Sequence, residues 1–384
     1  MSIPVHRGAL VSAGALLAAG TLAIGALVSV RQSALFLVGA LAGVVLYHAA
    51  FGFTSSWRDF IAHGRGAGVR AQMVMLGITT AIFVPLITHG ADVGLAVRGS
   101  VAPAGIPVIA GAFLFGIGMQ LGGGCASGTL FSAGGGSVRM FVTLAAFIAG
   151  SVLGIRYTSL WEHAPALRPM ALTELGAGPA LLVSLSGFIA IYGVSTVVEA
   201  KRRGRVEPDK AAGRTTALQG PWTLVAGAVG LAVVNIATMV IAGRPWGVTA
   251  AFALWGAKFL MSIGVDVASW PYWQPAARAA DLHASVLRDV TSVMNLGIML
   301  GALAAAALAG RFAPVWRVPA RSLAAAVVGG LMLGYGARIA YGCNIGAYFS
   351  GVSSTSLHGW VWLASAFSGN IIGTRLRPWF GLAV

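Results

Sequence analysis

The only two thiols of the 384-residue chain, Cys125 and Cys343, stand at the same place in a repeated stretch. At an offset of 218, Gly116, Gly118, Gly124, Cys125, Gly128 and Ser132 meet Gly334, Gly336, Gly342, Cys343, Gly346 and Ser350. The chain is therefore a duplicated unit in which each copy brings one thiol to an equivalent position. A thiol is a weak, polarizable donor that suits a soft sulfur atom better than a hard oxyanion. If a short helix begins at each thiol, its free N–H groups and positive dipole end form an anion site. Gly124 and Gly342 before the thiols, with Ser127 and Asn344 after them, complete the set around each sulfur. A thiolate would repel an anion, so such a site needs protonated thiols. For either cysteine alone, a small buried hydrophobe is the ordinary reading; the matched placement inside glycine-rich breaks argues for function.

Charged residues within apolar stretches are the next candidates. Arg338 lies five residues before Cys343, where its charge would act on an anion near the thiol. A structural bond to loop carbonyls is its alternative role. Lys258 and Asp266 read as a snorkelling side chain and a block-end residue. Arg58-Asp59 and Arg288-Asp289 echo one another and read as fold-stabilising pairs. His48, His89, His163, His283 and His358 lack metal-ligand spacing, so no metal site is expected. Gly134-Gly-Gly136 is not followed by the Gly-Lys-Ser/Thr of a phosphate loop. No cofactor is implied. Trp246, Trp255, Trp270, Trp273, Trp360, Trp362 and Trp379 fall near block ends, as interfacial aromatics do.

These residues need a membrane scaffold to position them. Charged residues are 9% of the chain, apolar residues 57%, and mean hydropathy is +0.84; soluble domains carry about 25% charge. The net charge of +15 sits mostly between apolar blocks, as topogenic and lipid-headgroup charge does, rather than as a nucleic-acid footprint. Two cysteines without a CxxC build no disulfide framework. The block 8–30 is too long for a signal peptide and lacks a clean cleavage site. Blocks of spanning length, ~20 residues, fall at about 8–30, 33–50, 71–88, 104–121, 138–157 and 177–198, then at 222–243, 247–267, 289–310, 322–339 and 358–380. Between the two series lies a basic linker, 199–221, with Lys201, Arg202, Arg203, Arg205, Lys210 and Arg214.

Gly122-Gly-Gly-Cys-Ala-Ser-Gly128 makes a poor continuous helix, and broken backbone at membrane depth belongs beside a cavity or inside protein. The expected fold is an all-α polytopic membrane protein with about nine transmembrane helices and two central re-entrant cysteine-bearing elements. Its units are 1–198 (first repeat plus linking helix), 199–221 (cytoplasmic linker) and 222–384 (second, inverted repeat). The positive-inside bias of the linker, with nine crossings, places the N-terminus outside and the C-terminus inside.

The stretch Phe115-Gly-Ile-Gly-Met-Gln-Leu-Gly-Gly-Gly-Cys-Ala-Ser-Gly-Thr129 resembles the YeeE/YedE family of bacterial sulfur-transport proteins, which includes thiosulfate importers. So do Gly334-Tyr-Gly-Ala-Arg-Ile-Ala-Tyr-Gly-Cys-Asn-Ile-Gly-Ala-Tyr-Phe-Ser-Gly351 and Ser356-Leu-His-Gly-Trp360. The resemblance implies an inner-membrane protein, not an enzyme. Thiosulfate would pass between the thiols at Cys125 and Cys343 by S–H···S contacts. It also implies a small TusA-like sulfur-carrier protein as cytoplasmic partner. A further cysteine that the family often carries before an Arg-Asp pair is replaced here by Gly52. The rival readings are a path for another sulfur or selenium species and a membrane thiol redox enzyme; the missing CxxC argues against the latter, which needs attacking and resolving thiols.

Overall fold

The computed structural model describes residues 5–209, 216 and 218–384; Lys210 and Arg214 of the basic linker lie outside them. The helices in chain order are α1 (Arg7–Leu27), α2 (Val30–His48), α3 (Phe53–His63), α4 (Ala67–His89), α5 (Ile106–Gly122), α6 (Ala126–Gly134), α7 (Val138–Arg156), α8 (Ser159–Glu162), α9 (Ala177–Arg203), α10 (Leu224–Ala242), α11 (Thr249–Ser262), α12 (Ala276–His283), α13 (Val290–Leu308), α14 (Ala320–Ile339), α15 (Ser350–Ser353) and α16 (Leu357–Leu376). A π-helical turn, Asn344–Phe349, joins Cys343 to α15. Two residues, Ala104–Gly105, pair antiparallel with Ala166–Leu167 as the one small sheet among the described residues. Polar residues just ahead of apolar runs start several helices. Ser29, Thr223 and Asp289 accept from the backbone N–H groups of Gln32, Ala226 and Ser292, satisfying donors that have no partner within a helix.

Among the described residues, nine helical segments are long and apolar enough to cross a membrane. They include α5 together with α6, and α14 together with the segment beyond Cys343. The expected block 247–267 instead forms α11, only 14 residues long, short of the ~20 that a span needs.

Close contacts at the helix ends define two faces. At the first, His6 N–H donates to Ala307 O and its ring meets Phe312. Phe312 also abuts Gly136, and Gly135 abuts Tyr47. Trp222 N–H, ahead of α10, donates to His48 O at the end of α2. The start of α1 thus lies on the same face as the segment that leads out of the basic linker. This corrects the expectation that the N-terminal helix begins on the face opposite the linker. The reason is that 247–267, a block of spanning length in the sequence, forms the short α11. At the second face, Arg31 donates to Ile241 O, Arg98 N–H to Gly243 O, and Leu357 N–H to Met170 O.

The interior packs in matched pairs. α2 lies on α13 and α4 on α10; α7 lies on α14 and α5 on α16; α5 and α14 lie on each other; α1 contacts α13 as α9 contacts α4. Gly43 permits one of these approaches, since a Cβ there would collide with Ile298 O. Helices α1 and α9 are the least enclosed and expose Leu16, Leu22, Leu182 and Ile189, an apolar surface suited to lipid. The end of α9 is fixed by a buried ion pair of Glu199 with Arg70 (2.5 Å). Trp246, Trp362 and Trp273 are buried, so these three are core residues rather than interfacial ones; Trp379 is exposed.

Candidate functional site

α5 ends at a left-handed Gly123. Cys125 then caps α6 in extended conformation with ψ −168°, and its carbonyl accepts from Thr129 N–H and Thr129 Oγ1, both at 2.8 Å. In the second copy, Tyr341 and Gly342 both have positive φ. Cys343 follows in extended conformation with ψ −169°, and its carbonyl accepts from Ala347 N–H at 2.8 Å and Tyr348 N–H at 3.3 Å. At Gly342, φ is +152° and a Cβ would stand 2.8 Å from Ala347 N, so only glycine fits. Gly124 is tight for the same reason, with Gly128 C and Thr129 N each 3.1 Å from a built Cβ.

Both thiols are free and buried. The backbone amides of Ser127 and Gly128 face the Cys125 sulfur, and those of Ile345 and Gly346 face that of Cys343. Ser127 Oγ adds a contact of 3.4 Å to Cys125 Sγ. The short helices beyond the two thiols touch. Asn344, fully buried, has no partner for either amide atom. Such a group costs ~1–3 kcal/mol when left unpaired, so its retention points to a ligand or water.

Six of the seven predicted residues gather at these two breaks: Gly124, Cys125, Ser127, Gly342, Cys343 and Asn344. Arg338 does not join them. Its guanidinium donates to Thr249 Oγ1 (3.1 Å) and Tyr272 Oη (3.4 Å), which ties α14 to α11 and the segment after it. Lys258 likewise holds the carbonyls of Leu282 and Ala284. The two Arg-Asp pairs are not equivalent. Asp289 caps α13 through Ser292, whereas Asp59 lies 3.9 Å from His63. Among the described residues no group of three His, Cys, Asp or Glu is placed to hold a metal.

Several residues around the thiols carry no spacing signal. Gln72 Oε1 accepts from Trp57 Nε1 (2.9 Å) and Tyr348 Oη (3.4 Å). Tyr348 stacks on Trp362 at 6.2 Å, and Trp362 Nε1 donates to Gly342 O, which clamps the turn before Cys343. Beyond the π-turn, Ser350 Oγ donates to Trp246 O (2.7 Å) and Trp246 N–H to Asn235 Oδ1 (2.8 Å). Over this same short helix lies Ser100, which donates from its N–H to Ser354 Oγ and from its Oγ to Gly346 O. Tyr348 and Ser350 fall inside the repeated stretch, so the repeat itself was their available signal; Gln72 had none.

The sequence profile of the family described as sulphur transport matches residues 48–372, both cysteine breaks included. The chain belongs to this family. It is similar to thiosulfate transporter TsuA of Spirochaeta thermophila, 27% identical over 358 residues, covering 89% of this chain and 97% of that protein. TsuA of Escherichia coli is 24% identical over 352 residues, covering 89% and 92%. YedE of Escherichia coli, named a probable transporter, is 31% identical over 167 residues. That match covers 42% of this chain and 40% of YedE, so the aligned part spans well under half of that relative. The family is described as sulphur transport and these relatives are named as transporters or a probable transporter, and the nine apolar segments among the described residues make this chain a multi-pass membrane protein.

Proposed function

We propose that this chain carries thiosulfate, or a closely similar sulfur-containing anion, across the bacterial inner membrane along a path past Cys343 and Cys125. The observation that carries the reading is the pairing of two buried free thiols, each ahead of a short helix whose first amides face its sulfur. Amide N–H groups at a helix start favour an anion's charge, and the thiols offer soft contacts to sulfur. Weak contacts let the anion leave as readily as it binds, as conduction requires. Cys125, Cys343, Gly124, Gly342, Ser127 and Asn344 form the binding set, and Arg338 acts by positioning α14. The names of the TsuA relatives support thiosulfate as cargo.

The architecture we infer is two inverted repeats, in line with the matched packing of α1, α2, α4, α5 and α7 against α9, α10, α13, α14 and α16. On this reading the repeat boundary falls before α9 rather than after it. The broken elements then lead onward: α6 ends at Gly134–Gly136 on the linker face, and α15 ends beside Ser100 and Thr173 on the other. Five crossings per repeat, the nine apolar segments together with the 20-residue α16, give the inversion, and the cysteines mark breaks within two crossing segments instead of turn-back points. With the linker cytoplasmic, the start of α1 and the end of α16 are cytoplasmic too. A TusA-like carrier, if it docks, meets this face.

The test is uptake of labelled thiosulfate by proteoliposomes. Uptake that competes with sulfite or selenosulfate equally well would redirect the cargo. A persulfide trapped on either thiol, seen by mass spectrometry, would replace the non-covalent path with thiol redox chemistry.

A further inference from the structure

Three arginines converge at the linker-face end of α5, a few residues before Cys125. Arg139 donates to Gly122 O (2.7 Å) and Leu121 O (2.6 Å). Arg377 donates to Gln120 O (2.6 Å) and Ala383 O (2.6 Å). Arg58 stands one turn beyond Thr54 on α3, and the Thr54 carbonyl accepts from Gln120 Nε2 at the same end of α5. None of the three forms a salt bridge among the described residues. Arg139 and Arg377 are spent largely on closing the carbonyl end of α5, a favourable use of cations. The Arg58 side chain makes no hydrogen bond or ion pair among the described residues.

Three like charges held together without a carboxylate repel one another. Their neighbours are also incompletely satisfied. Gln120 Nε2 donates to Thr54 O and Asn370 Oδ1, but Gln120 Oε1, Thr54 Oγ1 and Thr374 Oγ1 are buried and lack partners. Two free hydroxyls, which can donate, thus lie one turn from Arg58 and from Arg377 along α3 and the end of α16. The set is what a tetrahedral oxyanion needs: charge from a fork of N–H donors and hydroxyls for the remaining oxygens.

From this geometry we propose an inner oxyanion site formed by Arg58, Arg139, Arg377, Thr54 and Thr374. It receives the sulfur oxyanion after Cys125, before release to the linker face, and so rests on the proposed path. Soft thiols would handle the sulfur end of the cargo within the membrane, while this cluster handles its hard oxygen end. Arg58 is the residue of the set free to turn toward an arriving ion, since it has no structural bond to break.

The experiment is phenylglyoxal labelling of arginine in the full-length protein, in phosphatidylcholine nanodiscs, with each labelled peptide quantified by mass spectrometry. Sulfate and thiosulfate are compared with chloride at equal ionic strength. The expected result is about tenfold slower labelling of Arg58 with either oxyanion, the range of a charge-assisted contact, and the same protection in a Cys125→Ser, Cys343→Ala protein. This arm needs no transport, so it stands apart from failure of the transport reading. In proteoliposomes, Arg58→Gln should raise the half-saturating thiosulfate concentration on the linker face about tenfold, with Arg58→Lys recovering most of the loss. Labelling of Arg58 that ignores both oxyanions overturns the proposal, as does protection only in phosphatidylglycerol nanodiscs, which would assign the cluster to lipid headgroups.

Discussion

Cys125 and Cys343 occupy matching breaks, yet the polar groups beside them are treated differently. Ser127 Oγ reaches the Cys125 sulfur at 3.4 Å, and a regular α-helix follows. Beside Cys343 both amide atoms of Asn344 lack partners, two residues in succession adopt positive φ, and the helix opens with a π-turn. The first break is locally satisfied; the second holds unspent hydrogen-bonding capacity and strained backbone. Strain and unpaired polar groups persist where surrounding structure enforces them, commonly at ligand sites. On the proposed path, the second break is the one that offers free polar groups to a cargo, and the first is the one that already satisfies its own.

The backbone gives the sharpest way to break that comparison. Gly342→Ala places a Cβ 2.8 Å from a backbone nitrogen at φ +152°, and it should cost roughly 2–4 kcal/mol. Gly124→Ala meets backbone at 3.1 Å with no positive φ and should cost about 1 kcal/mol. Thermal unfolding of both variants in detergent checks the order; equal losses would remove the distinction. Asn344→Leu separates stability from function. Removing an unsatisfied amide should raise stability by about 1 kcal/mol while uptake falls at least roughly tenfold, the value of one lost polar contact. If both stability and uptake drop together, Asn344 is a structural residue. Ser127→Ala, which removes one long contact to a thiol, should change uptake by less than about threefold and stability by under ~1 kcal/mol.

The smallest effect lies outside both breaks. The hydrogen bond from Arg203 holds the Glu207 carboxyl below the usual carboxylate range. A carboxyl lowered in the folded state stabilises above its unfolded pKa and loses that contribution as pH falls through the folded value. Faster proteolysis within 204–209 should therefore appear only below the ordinary carboxylate range. Protease digestion of vesicles across that pH range checks this; a loop equally cut at neutral pH would contradict it.

Much of the scaffold was legible because its signals are local. Apolar length marked the spanning helices, and the two thiols with their glycines marked the breaks. Which end of α1 lies beside the linker was not legible, because it depends on a count of crossings. α11, apolar but only 14 residues long, reads as a span in a hydropathy pattern, and a single miscount reverses the terminus. Trp246 and Trp362 read as interfacial because they stand near block ends, but tertiary packing carries them into the core. Arg338 reads as a cargo residue from its distance in sequence to Cys343, but it belongs to the last turn of α14 while Cys343 lies beyond a turn with two positive-φ residues, and its guanidinium meets Thr249 instead. The partners of Gln72 come from Trp57 and Tyr348, distant in sequence, and no periodicity encodes such a contact.

The central claim is that the two buried thiols are successive contacts of one cargo. Labelled thiosulfate uptake into proteoliposomes, compared for wild type, Cys125→Ser and Cys343→Ala at matched protein incorporation, tests it directly. The account predicts measurable wild-type uptake that either substitution reduces to near background, Cys343→Ala at least as strongly as Cys125→Ser. Uptake unchanged in both variants would contradict it.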